Sequence, residues 1–112
     1  MANQFITLAT GIASTGSGSS AGPDSQGGVK TWHAQISGSG SLSATVLIQG
    51  SNNPTPTLDG HWATLGTISL SGSTAVSDGF ASEAPWRNYR YNITAMSNAT
   101  TVASIWCGTN SK

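Results

Sequence analysis

An antiparallel two-sheet β-sandwich of seven or eight short strands, jelly-roll or Ig-like in wiring, is the fold this sequence predicts. Three observations predict it. Apolar residues recur at a spacing of two, the strand period, most cleanly at Leu42, Ala44, Val46 and Ile48. Gly and Ser interrupt every window before two helical turns could accumulate. Turn-forming clusters separate the apolar runs at short intervals, as in sandwiches and barrels.

The length, 112 residues, suits one domain spanning 1–112. Its first strand is expected over 3–9, around Phe5, Ile6 and Leu8. Residues 10–28 are rich in Gly and Ser, with Ile12 almost the only apolar side chain. Such a stretch gains little by folding onto a core, so an arm or long loop is expected, with Ile12 as its anchor on a partner. The next strand runs over 29–37. Gly38-Ser39-Gly40 is a tight-turn signal, and 41–49 follows as its hairpin partner.

Pro54 and Pro56 break any ladder in the loop over 50–60. A strand over 61–70 follows. There Trp62 and Leu65 share a face only if a bulge near Gly66 shifts the register. Ala44, Val46 and Ile48 are expected to face the core with Trp62 and Ile68. Ser71-Gly72-Ser73 leads to a short strand over 74–77, and Asp78-Gly79 reads as the next turn. After a connection over 81–85 come strands over 86–95 and 100–107, joined by a turn at Ser97-Asn98.

Charged residues make up 7% of the chain and cancel to a net charge of zero, against about 25% in an average domain. No electrostatic funnel for nucleic acid or an anionic membrane is present. So few charges suit a protein that lives in an assembly, where self-repulsion is not needed for solubility, and equally an exported β-domain. No stretch approaches the roughly 20 apolar residues of a membrane helix, and the N-terminus does not read as a signal peptide. Cys107 is the one cysteine, beside Ile105 and Trp106, and is expected to be a buried thiol.

A catalytic site needs titratable groups brought together, and this chain offers two histidines, four carboxylates and one thiol. His33 lies inside a strand beside Trp32 and reads as a packing or pairing histidine. His61 follows Asp59-Gly60 and reads as a turn residue. A metal cluster of His33, His61 and Asp59 is not required by any ligand spacing. No enzyme activity, metal or cofactor is therefore expected.

The aromatic residues are the other resource. Trp32, Trp62, Trp86 and Trp106 are spread over four strands and are expected to form the core; exposed in a row, they would stack on sugars. Arg87 and Arg90 stand among Trp86, Tyr89 and Tyr91. They suit a partner contact or an exposed strand face with arginine stems lying on rings. The candidate partner interface is accordingly Ile12, Arg87, Tyr89, Arg90 and Tyr91.

Three segments, taken together, resemble a known group. They are Ala44-Thr45-Val46-Leu47-Ile48-Gln49-Gly50-Ser51-Asn52, then Trp62-Ala63-Thr64-Leu65-Gly66-Thr67-Ile68, then Ala84-Pro85-Trp86-Arg87-Asn88-Tyr89-Arg90-Tyr91-Asn92-Ile93-Thr94. In this order they are similar to small virion structural proteins of tailed bacteriophages, over roughly residues 29–106. The resemblance implies a non-catalytic capsid decoration (cement) protein on the outer surface of the head. It would partner the major capsid protein, form a homo-oligomer, with a trimer favoured, and reside in the virion after assembly in the host cytoplasm. The alternative it implies is a tail or fibre-associated receptor- or carbohydrate-binding module. Where the group often has Asp-Gly soon after Gly-Ser-Asn, this chain has Pro54-Thr55-Pro56.

Overall fold

A computed structural model describes residues 3–18, 29–83, 86–97 and 100–110. The strands are β1 (Asn3–Ile12), β2 (Gly16–Ser17), β3 (Lys30–Ser37), β4 (Leu42–Ser51), β5 (Ala63–Gly72), β6 (Ala75–Ser82), β7 (Asn88–Ser97) and β8 (Val102–Asn110). They form two four-stranded sheets, ordered β1-β8-β3-β6 and β2-β7-β4-β5, with every pairing antiparallel. Every connection except β4–β5 passes from one sheet to the other. That is the wiring of an eight-stranded jelly roll, which decides between the two topologies the sequence left open.

Alternation builds the core. Trp32, Ala34 and Ile36 of β3, Leu42, Ala44, Val46 and Ile48 of β4, Ile68 and Leu70 of β5, Tyr89 and Ile93 of β7, and Ala103, Ile105 and Cys107 of β8 are all buried. Each large aliphatic side chain so buried contributes roughly 1.5–3 kcal/mol. The expected core positions Ala44, Val46, Ile48 and Ile68 are in place. Trp62 is not among them: it lies on the other face of its sheet, beside Arg90.

The expected hairpin between the strands flanking Gly38–Ser41 does not form. β3 pairs with β6 and β8, whereas β4 pairs with β5 and β7. The intervening residues arch across the core from one sheet to the other. Gly38 has φ 154°, and a Cβ there would stand 2.7 Å from the Thr100 carbonyl oxygen, so only glycine fits. The Thr100 hydroxyl pins the arch twice, accepting from the Ser39 amide at 3.1 Å and donating to the Ser39 carbonyl at 3.0 Å.

Other differences have local causes. β1 continues past residue 9 to Ile12 through two register shifts against β8. Residues 16–17 then pair with β7 in the second sheet. The front of the expected arm is thus a strand and a sheet crossing; residues 19–28 lie outside the described residues. Asp78-Gly79 is no turn. Both residues sit inside β6, opposite Ala34 and His33, and the Asp78 carboxylate accepts from the Gly79 amide at 2.8 Å. The expected bulge near Gly66 is present: Ile48 pairs with Gly66 and Gln49 with Thr64, leaving Leu65 as the extra residue.

Candidate functional site

The described chain is a slab of 41 × 33 × 18 Å, so its two broad outer faces are the sheet surfaces turned away from the core. Strand alternation assigns their residues. On the second sheet, the rows across β7, β4 and β5 are Ser97–Ser43–Ser71, Ala95–Thr45–Ser69, Asn92–Leu47–Thr67 and Arg90–Gln49–Thr64. Hydroxyl and amide side chains dominate this face, and Ser43 and Ser97 share a hydrogen bond at 2.6 Å.

The single charge on those rows is tied into its own chain. Arg90 is 7% exposed. Its Nε donates to Gln49 Oε1 at 2.7 Å and its Nη2 to Asp59 Oδ1 at 3.1 Å, while its guanidinium lies over Trp62. Gln49 in turn donates through Nε2 to the Thr64 hydroxyl at 3.2 Å. Asp59 opens a short 3-10 turn, Asp59–His61, so this network holds the β4–β5 connection against the sheet. His61 clamps the same connection from within, its Nδ1 accepting from the Thr57 and Leu58 amides at 3.0 and 3.2 Å. Its turn role is as expected.

The first sheet presents a different surface. Phe5 and Thr31 flank Gly108 in one register row, and Thr7 and His33 flank Trp106 in the next. These residues line a half-open cleft of about 320 Å³. The His33 and Trp106 rings are 5.0 Å apart between centres, tilted by 47°. Phe5 is 81% exposed.

The candidate interface residues are not brought together. Tyr89 is buried in the core, its ring 5.1 Å from that of Trp32 and its hydroxyl accepting from the Trp86 amide at 3.0 Å. Tyr91 is half-buried on the core side of β7, where Gly18 crosses its ring. Ile12 is half-buried and packs on the chain's own core, so it is not a free anchor. Arg90 is enclosed as described. Of the five, Arg87 alone is exposed, with its amide donating to Asn52 Oδ1 at 2.9 Å.

The tryptophans divide by environment instead of filling the core together. Trp32 is buried, with its indole N–H donating to the Ser82 hydroxyl at 2.9 Å. Trp86 packs at the core edge, over Gly50. Trp62 and Trp106 belong to the outer faces. Of the conceived metal ligands, His33 lies on the outer face of the first sheet, whereas Asp59 and His61 sit beside the second. Among the described residues no three of His, Cys, Asp and Glu form a metal-holding group.

Two features escaped the sequence reading. Lys30, an apparent surface charge, is fully buried, with its ammonium 5.9 Å from the centre of the Tyr89 ring. Its signal was available, since it shares the alternation of Trp32, Ala34 and Ile36. The Phe5–Trp106 cleft carried no signal, because it joins strands from opposite ends of the chain. Cys107 is buried as expected. Burial raises its thiol pKa from 9.0 to about 11, with the Lys30 charge pulling the other way. No protein-family model, curated protein or solved structure matched this chain.

Proposed function

We propose that this chain is a non-enzymatic structural protein of a virus particle, of the capsid decoration type, that binds the outer surface of the head and stabilises it. The observation that carries the reading is the outer face of the β2-β7-β4-β5 sheet. Its described rows are mostly Ser, Thr, Asn and Gln side chains, with Leu47 and Ala95 among them, and their one charge, Arg90, is tied to Gln49 and Asp59 of the same chain. Such a face suits a fixed partner surface met through many modest hydrogen bonds. Each is worth about 1 kcal/mol net, and repetition over a lattice multiplies them. The jelly-roll wiring supports the reading as analogy, since viral capsid domains use it, as lectins do. The partner is the major capsid protein, and a homo-oligomer, with a trimer favoured, adds to the avidity.

Co-sedimentation with particles assembled from the major capsid protein tests this. Ser69 is exposed on the hydroxyl face, on its edge strand β5, and Ser77 is exposed on the edge strand β6 of the first sheet. Wild type and Ser77→Lys are expected to pellet with particles, while folded Ser69→Lys stays in the supernatant. Wild-type protein that fails to pellet, or is absent from imaged particles, overturns the reading.

A further inference from the structure

From the opposite face of the slab, we infer that the cleft between β1, β8 and β3 is a binding site for a small neutral saccharide. This stands apart from attachment to a shell and rests on the cleft's own chemistry. Its construction begins at Gly108. A Cβ there would come within 2.9 Å of the Thr31 hydroxyl and 3.3 Å of the Phe5 ring. The missing side chain lets an aromatic ring and a hydroxyl close over one point of the sheet. The adjacent row adds the Trp106 indole, with the His33 ring 5.0 Å away and tilted by 47° to it, and Thr7.

The lining decides the class of occupant. Phe5, Ile6, Thr7, Thr31, His33, Trp106, Cys107 and Gly108 include no Lys, Arg, Asp or Glu. A nucleotide or other phosphate ester would want a cation at this site, and an ammonium ligand a carboxylate. An apolar peptide would want an unbroken apolar strip, whereas rings alternate here with hydroxyls and an imidazole. A pyranose matches that alternation. Its C–H face lies on an aromatic ring, whose π surface is negative and whose area is apolar. Its hydroxyls meet Thr31, Thr7 and His33 as donors or acceptors. The volume, about 320 Å³, is at the small end of ligand pockets, which span roughly 300–1,000 Å³.

The test is an NMR titration of the whole chain with methyl glucoside, methyl galactoside, methyl mannoside, N-acetylglucosamine, maltose and lactose. At least one sugar is expected to give saturable shifts at the Trp106 indole N–H and at His33. Its Kd should be on the order of 1 mM, the range of a small ligand with few contacts. Phe5→Ala, at a position so exposed that the fold does not depend on it, is expected to weaken binding roughly fivefold. Thr31→Val, which replaces the hydroxyl by a methyl group of similar size and gives up its long bond to the Gly108 carbonyl at 3.4 Å, should weaken it too. The inference is overturned if no sugar gives a saturable shift, or if both variants bind as wild type does. It is equally overturned if AMP occupies the cleft more tightly than any sugar. Self-association that perturbs the same resonances without sugar would give the surface to a second copy instead.

Discussion

The guanidinium carbon of Arg90 sits 4.8 Å from the centre of the Trp62 ring, with Gln49 on one side and Asp59 on the other. The partners are not equal. The bond to Gln49 is buried, whereas Asp59 is 87% exposed and its ion pair is screened by water. Arg90→Ala is therefore expected to cost about 2–3 kcal/mol. That combines a lost charge-assisted hydrogen bond with a lost cation–π contact. Asp59→Ala should cost less than about 1 kcal/mol. Urea denaturation of both variants checks the ratio, and a near-equal loss would place the main contribution in the ion pair.

Val46 is fully buried and its neighbour Thr45 faces out. An aspartate at 46 would put an unpaired charge between the sheets, at a cost of several kcal/mol. That is comparable with the whole stability of a small domain. Val46→Asp is expected not to fold, while Thr45→Asp folds with a change within about 1 kcal/mol. Circular dichroism and amide dispersion distinguish the two. A folded Val46→Asp would mean that β4 is out of register by one residue.

Cys107 predicts a pH dependence. Its thiol is raised to about 11 in the folded chain from an ordinary 9.0, so the folded state holds its proton longer than the unfolded state does. The stability this contributes is complete below pH 9 and is lost as pH rises towards 11. It amounts to on the order of 2 kcal/mol. Cys107→Ala removes this one titration, so the stability gap between variant and wild type should narrow over that window. Thiol reagents are also expected to react slowly with the native protein at neutral pH and quickly in denaturant. Rapid native labelling would contradict the burial.

Much of this molecule follows from local pattern. The alternation of Leu42, Ala44, Val46 and Ile48, and the extra residue beside Gly66, depend only on neighbours along the chain. A strand's core face is set by its own period of two, so the long strands and their facing were legible, whereas β2 (Gly16–Ser17) and the face of Trp62 were not. Pairing was not. Gly38–Ser41 closes a hairpin or an arch with equal local chemistry; the arch arises because β8, some seventy residues away, takes the place beside β3. Asp78-Gly79 reads as a turn by composition, yet lies within β6, the edge strand of its sheet among the described residues. The aromatic residues show the same division. Alternation sets Trp32 in phase with Ala34 and Ile36 and Trp106 out of phase with Ile105 and Cys107, but nothing along the chain shows that Arg90 lies over Trp62 or His33 beside Trp106. Their neighbours are supplied by strands distant in sequence, as is the Phe5 that completes the cleft with Trp106. Local sterics and hydrophobic periodicity determined a two-sheet sandwich of seven or eight strands, and only the sheet pairing added β2 (Gly16–Ser17). Long-range strand pairing alone decided which side chains meet across strands, because those contacts exist only once the sheets have closed.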